Sequence, residues 1–250
     1  MRTLILLILC CFSFIGFSQN ITDSKGKKQG PWAKTYPGTK VYQYKGEFKD
    51  DIPTGTFTYY YQNTKVKAII KHGAGAKRSE AYFYHDNGKL MSYGIYHDLK
   101  KDSIWLTFGP TGKLSNSETY KNDLLNGKKT IYYIPEEFND KSQIISGISY
   151  YTDGKLNGEY TEYFNSTVVR VKGKYVMNKK VGIWETYHYN GKKMMLERFK
   201  DGARHGWCSA FDESGKETGK QYFFNGKRLQ GKELETKLQY FKQKGIDPNQ

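Results

Sequence analysis

Aromatic and β-branched residues occur along this chain in short runs, and turn-forming residues separate one run from the next. One type of turn contains Gly-Lys, at 87–89, 111–113, 190–192 and 214–216. The other pairs Asn or Asp with Asp or Gly, at 50–51, 122–123, 153–154, 201–202 and 225–226. Asn-Gly and Asp-Gly between aromatic runs predict β-hairpins, because both turn residues take positive φ. The pattern therefore predicts strands joined by tight turns.

A repeat orders these hairpins. Glycine or serine recurs at spacings of 24 or 25 residues, apart from one interval of 31 that holds an insertion at 135–141. We call these residues the anchors: Gly30, Gly55, Ser79, Ser103, Gly127, Gly158, Gly182, Gly206 and Gly231. A single hairpin cannot bury its aromatic face, so neighbouring units must stack. The period predicts an elongated, twisted, all-β sheet of about eight hairpin units and about sixteen strands.

Three aromatic rows keep a fixed distance from the anchors. The Trp row lies two residues after them, at Trp32, Phe57, Trp105, Tyr160 and Trp184. The Tyr row lies five residues after them, at Tyr60, Tyr84, Phe108, Tyr132, Tyr163, Tyr187 and Phe211, with Tyr36 one position later in the first unit. The Phe row lies seven residues before them, at Phe48, Tyr96, Tyr120, Tyr151, Tyr175, Phe199 and Phe224, with His72 as the exception. The Trp and Tyr rows differ in parity, so either a bulge intervenes or both faces carry aromatic side chains.

Segments 44–51 and 198–207 resemble the MORN repeat, in which Tyr-x-Gly-Glu-Trp-Lys-Asn-Gly precedes a further glycine. The spacing of glycine, tryptophan and tyrosine before Gly-Lys looks closer to the MORN repeat variant of YwqK-type antitoxin proteins. The resemblance spans residues 26–231 and departs from the pattern at His72, Ser79, Ser103 and the insertion. It implies stacked β-hairpins and a partner protein that an antitoxin would neutralise, and it assigns no catalytic residues.

The N-terminus is typical of a secretory signal peptide. Residues 1–18 combine Arg2, an apolar run over 4–15 and small residues at Gly16 and Ser18. The run is too short to span a bilayer. Cleavage after Ser18 would remove two of the three cysteines and leave Cys208 without a disulfide partner. We expect an exported protein, located in the periplasm, at the outer membrane or outside the cell.

The C-terminal residues 232–250 follow the repeat domain, which we place at 19–231. Leu234, Leu238 and Phe241 have helical spacing, and Gly245 and Pro248 end the pattern. We predict a short amphipathic helix over 232–244. It either caps the last hairpin or serves as a docking helix for a partner or a membrane surface.

Basic residues exceed acidic ones by 40 to 25, which gives a formal charge of +15. Export excludes nucleic acid as the expected partner, although basic residues among aromatics suit it chemically. The polyanions outside the cytoplasm are phospholipid headgroups, acidic polysaccharides and acidic proteins. Alternatively, the lysines only solubilise the edges and turns of a long sheet.

We find no pattern typical of an enzyme, a metal site or a cofactor site. The five histidines lack zinc-ligand spacing, and Cys208 replaces a Trp-row residue, which indicates a buried packing thiol. Segment 73–79 superficially resembles a phosphate loop, but we interpret it as a turn between units.

Three functional hypotheses follow from the sequence. In the first, the protein is a non-enzymatic interaction scaffold of the cell envelope, and the Tyr row from Tyr60 to Phe211 is its candidate binding surface, although the same residues also suit a core. In the second, it is an antitoxin or immunity protein that neutralises a toxin domain, as the resemblance implies. In the third, it binds anionic phospholipid or glycan at the envelope.

Overall fold

A computed structural model describes residues 19–133, 143–164 and 167–249. It confirms the all-β class, because 62% of the described residues lie in strands of one open antiparallel sheet. The predicted signal peptide and the insertion at 135–141 lie outside the described residues. Within the described ranges, no helix is long and apolar enough to cross a membrane.

The sheet has nineteen strands in the described part of the chain, and each strand after β1 pairs antiparallel with the one before it, except β17, which pairs with β15. The first nine are β1 (Ile21–Thr22), β2 (Lys28–Thr35), β3 (Tyr42–Lys49), β4 (Ile52–Tyr60), β5 (Val66–His72), β6 (Arg78–Tyr84), β7 (Leu90–His97), β8 (Lys100–Phe108) and β9 (Leu114–Lys121). The others are β10 (Leu124–Tyr132), β11 (Ile145–Thr152), β12 (Lys155–Tyr163), β13 (Val169–Val176), β14 (Lys179–Tyr187), β15 (Lys193–Lys200), β16 (Ala203–Arg204), β17 (Gly206–Phe211), β18 (Glu217–Phe224) and β19 (Lys227–Leu229). Strands β16 and β17 are two parts of one predicted strand, and both pair with β15. Helix α1 (Gly231–Lys244) follows the sheet, as predicted.

The five predicted Asn and Asp turns are confirmed, because both residues of each pair have positive φ. Two turns that the sequence did not reveal have the same conformation. They are Asp98-Leu99, with φ of 48° and 63°, and Met177-Asn178, with φ of 47° and 70°. Leucine and methionine are poor residues for this conformation, since only glycine, asparagine and aspartate adopt it readily.

Most anchors take part in β-bulges. Between β3 and β4, Lys45 pairs with Thr58 and Glu47 pairs with Thr54, so β4 carries two extra residues at its anchor. Gly55 there has a φ of 62°. A left-handed backbone at the bulge explains why the anchor is usually glycine.

The two serine anchors differ in backbone conformation. Ser103 forms the bulge and takes a φ of 60°, which is strained for a residue with a side chain. Ser79 has no positive φ, because β5 and β6 pair without a bulge and the connection contains a turn of 3-10 helix, Ala74–Ala76. Ser79 is buried, and its hydroxyl lies 2.9 Å from His72 Nδ1.

Both faces of the sheet carry aromatic side chains. On the first face, the ring of Trp184 lies 4.9 Å from the ring of Tyr175 and 6.3 Å from that of Phe199, so the Trp and Phe rows are together. Tyr187 points to the opposite face, because its hydroxyl donates to Glu185 across two residues of the same strand. The Tyr row therefore occupies the second face, and a bulge does not bring the two rows together.

On the first face, a large ring lies directly over a glycine of the neighbouring strand. The rings belong to Phe57, Trp105 and Trp184, all buried, and the glycines are Gly46, Gly94 and Gly173. A Cβ added at these glycines would lie 2.1 to 2.4 Å from the ring. Each glycine stands nine residues before an anchor. We call this cross-strand pair of positions the ring site.

Other units fill the ring site with a different complementary pair. Ile70 occupies the glycine position and pairs with Ala81 at the ring position, so here the larger side chain lies on the strand that elsewhere carries the glycine. At the anchor Gly127, Glu118 takes the glycine position and Lys129 the ring position, and the two side chains form an ion pair of 2.8 Å. Burial and the Glu118 carboxylate, which accepts a hydrogen bond from Tyr120, raise the pKa of Tyr120 to about 12. Volume or charge is thus matched across the strands in each of these units.

Some of the lysines cover the Trp row. The ammonium groups of Lys28, Lys101 and Lys180 lie 5.1, 4.5 and 4.0 Å from the rings of Trp32, Trp105 and Trp184. Each lysine stands two residues before its anchor. Since a cation over an aromatic face is attracted by the ring quadrupole, these lysines stabilise the first face as well as solubilising it.

Side chains six residues after the anchor join consecutive units. They reach a main-chain oxygen of the next unit at 2.7 to 2.9 Å, in the pairs Tyr36 to Tyr60, Tyr61 to Tyr84, His85 to Phe108, Tyr133 to Tyr163 and His188 to Phe211. Tyr36, one position late for the Tyr row, belongs to this linking row instead. The row holds neighbouring hairpins in register.

The two end strands of the sheet differ in how well they are covered. At the start, the Asn20 side chain exchanges two hydrogen bonds with the backbone of Ala33, and Asn20 N donates to Pro31 O. At the other end, β19 pairs with only Tyr222–Phe224 of β18. The rest of β18, residues 217–221, is exposed.

We predict that Gly173→Ala destabilises the protein by about 2–3 kcal/mol, because overpacking forces the Trp184 ring to move. Gly219→Ala is the matched control, since Gly219 is also in a strand but a Cβ there would contact nothing within 4 Å. Thermal unfolding followed by circular dichroism measures both. Equal melting temperatures for the two variants would contradict the role assigned to the ring site.

We predict opposite effects for glycine at the two serine anchors. Ser103→Gly stabilises the protein by about 0.5–1 kcal/mol, because it removes a left-handed strain that exceeds the entropy cost of glycine. Ser79→Gly destabilises it by about 1–2 kcal/mol, because it removes a buried hydrogen bond where no positive φ exists. Urea unfolding measures the free energy of unfolding of both variants. If both variants were stabilised, or both destabilised, the bulge would not select the anchor residue.

Candidate interaction surfaces

The structure places the predicted Tyr row on the second face, with every member half-buried. Most members pair across the strands with an aliphatic residue. The pairs are Tyr60 with Val66, Tyr84 with Leu90, Phe108 with Leu114, Tyr132 with Ile145 and Tyr163 with Val169. We call this alternation of aromatic and aliphatic side chains the aromatic strip. Whether the strip binds a partner stays a prediction.

Charged residues replace the aliphatic ones toward the C-terminal end of the strip. Tyr187 pairs with Lys193, and Glu185 accepts hydrogen bonds from Tyr187, Lys193 and Lys172. Burial by itself would raise the pKa of Glu185, but these hydrogen bonds outweigh it and lower the pKa to about 2. The carboxylate is therefore charged at neutral pH and fixes the neighbouring side chains.

A second surface is the side of the sheet where the strands end in the Asn and Asp turns. We call this row of turns the basic turn edge. Several of its aliphatic side chains are exposed, namely Ile52, Leu99, Ile104, Leu124, Met177 and Ile183. Exposed lysines lie among them, at Lys49, Lys100, Lys121, Lys155, Lys179 and Lys200. Leu99 is 77% exposed at a turn tip, where its backbone is also strained.

Some carboxylates of this edge are engaged within the turns. Asp51 accepts a hydrogen bond from the Lys28 main-chain N–H, and Asp123 accepts one from that of Lys101. These contacts join the turns of successive units. Because these acidic side chains face backbone donors, the lysines dominate the outward charge near them.

A third surface is a groove of about 700 Å³ between α1 and the last hairpin. Leu234, Leu238 and Phe241 of the helix pack on Tyr222 and Leu229, which closes one side of the helix. The other side of the helix borders the groove with Lys237 and Tyr240.

The histidines and the cysteine are the residues that bear on catalytic and metal chemistry. No three His, Cys, Asp or Glu side chains come together there as a possible metal site. His72 lies beside Ser79, but that hydroxyl is buried and burial lowers the His72 pKa. Cys208 is also buried, and burial raises its thiol pKa, which fits a packing role.

Sequence reasoning missed the basic turn edge and the groove. The available indication of the edge was Leu99 and Met177 at positions where other units have turn-forming residues. The groove depends on the packing angle between a helix and a hairpin, which no sequence pattern specifies.

No protein-family model matches this chain, and no curated protein is similar to it by sequence.

Proposed function

We propose that this chain is an exported, non-enzymatic interaction scaffold of the cell envelope, which binds a partner protein along the aromatic strip. The proposal combines the export expected from residues 1–18 with the extended shape of the repeat sheet.

The continuity of the strip carries this proposal. Contacts between elements run mainly between consecutive strands, so the described residues form a single layer with no second sheet over the strip. Half-buried aromatic rings then present an apolar surface across most of the units. Tyrosine and phenylalanine are enriched at protein interfaces because they bury a large area at a small entropy cost.

We predict that Tyr84→Ser with Phe108→Ser abolishes partner capture from an envelope extract at high salt. The melting temperature should fall by no more than about 5 °C, because both side chains are only half-buried. The matched control is Tyr189→Ser, which removes a 60%-exposed tyrosine. Retained capture by the double variant would show that the partner does not bind the strip. Complete unfolding of the double variant would show that the strip is core.

A second candidate function, binding to an anionic phospholipid surface, is favoured by the basic turn edge. Two aliphatic side chains, Leu99 and Met177, stand at turn tips with positive φ, next to the exposed lysines Lys100 and Lys179. Lysines near apolar side chains suit a membrane surface, since the charge attracts the headgroups and the apolar groups enter the interface.

We predict that Leu99→Asn with Met177→Asn weakens binding to phosphatidylglycerol vesicles about tenfold, because a tenfold change corresponds to about 1.4 kcal/mol of lost apolar burial. The same variant should be at least as stable as the wild type, since asparagine tolerates the turn conformation. Vesicle sedimentation at several salt concentrations measures the binding. Unchanged affinity would rule out insertion by this edge, and Tyr189→Ser again serves as the control.

A further inference from the structure

The groove beside α1 contains a cation without an ionic partner. The Lys237 ammonium lies 3.7 Å from the centroid of the Phe224 ring and 5.0 Å from that of Phe241. In the part of the chain that the structure describes, it forms no salt bridge. Glu233, one helical turn earlier, would be its usual partner. That carboxylate instead binds Lys227 at 2.7 Å.

The groove is apolar next to this cation, where Phe224, Leu229 and Tyr240 line it together with Lys237. Lys227, Lys232, Glu233 and Thr236 complete the lining, and Lys227 and Glu233 neutralise each other as an ion pair. Leu229 is buried, whereas Tyr240 is 47% exposed. The volume of about 700 Å³ falls within the range of small-molecule sites.

We propose that this groove binds a small organic carboxylate with an elongated apolar body. The carboxylate would pair with Lys237, and the body would lie against Phe224 and Leu229. Lys227 and Glu233 cancel each other and Lys232 is exposed, so the half-buried Lys237 ammonium matches a singly charged group, whereas a phosphate monoester would bring nearly two charges. Cation and apolar lining thus select the same amphiphilic ligand. This site is separate from the aromatic strip and goes beyond the proposed scaffold function.

Calorimetric titration of residues 19–250 with decanoate, below its micelle concentration, tests the proposal. We expect saturable binding at one site per chain. Decanol, which has the same apolar body without the charge, should bind at least tenfold more weakly. Equal affinities for decanoate and decanol, or no saturable binding, would overturn the proposal.

Variants assign the binding to the groove. Lys237→Gln should weaken decanoate binding at least tenfold and leave decanol binding unchanged, while Lys237→Arg should retain most of the affinity. Lys242→Gln is the matched control, because it removes an exposed lysine of the same helix outside the groove. Thr236→Trp fills the groove from an exposed position, so it should block both ligands without unfolding the helix. Undiminished decanoate binding by Lys237→Gln and Thr236→Trp would place the site elsewhere.

Discussion

The contact between an aromatic ring and the backbone of the next strand is the constraint on which the rest of this sheet depends. A single-layer sheet has no second layer to exclude water, so each core must form within the layer itself. Where Trp184 covers Gly173, the ring gains a flat apolar surface that no side chain interrupts. The neighbouring strands contribute Tyr175 and Phe199 around the ring, and a lysine covers it. The ring site therefore explains why glycine, tryptophan and lysine recur at fixed distances.

The repeat, the turns and the fold class could be predicted because local chemistry determines them. Asp-Gly and Asn-Gly specify the turn without help from the rest of the protein. The face of each aromatic row could not be predicted, since the anchor bulge changes the pairing and its size depends on the partner strand. The pairing of Glu118 with Lys129 could not be predicted from the sequence either, because these residues do not resemble the glycine and tryptophan that they replace. The candidate strip was found from its period, but its half-exposure depends on the absence of a covering layer in the described residues.

The surfaces of the sheet differ in how much they contribute to stability. The first face is filled with aromatic rings, and the lysines that cover it hold their ammonium groups against these rings. The second face and the basic turn edge retain apolar groups that contribute less to the core. Leu99 shows this division most clearly, since it accepts an unfavourable backbone conformation and still remains 77% exposed. A residue that costs stability and packs little suits recognition better than folding.

The unequal ends of the sheet limit how copies of this protein can associate. Asn20 occupies the main-chain groups of the first long strand that a neighbouring molecule would need. Residues 217–221 leave the opposite end free. Head-to-tail addition requires one free edge from each molecule at opposite ends, so the Asn20 contacts disfavour growth into a fibre. Pairing of two molecules through residues 217–221 uses this edge on both of them and leaves no such edge for a third molecule.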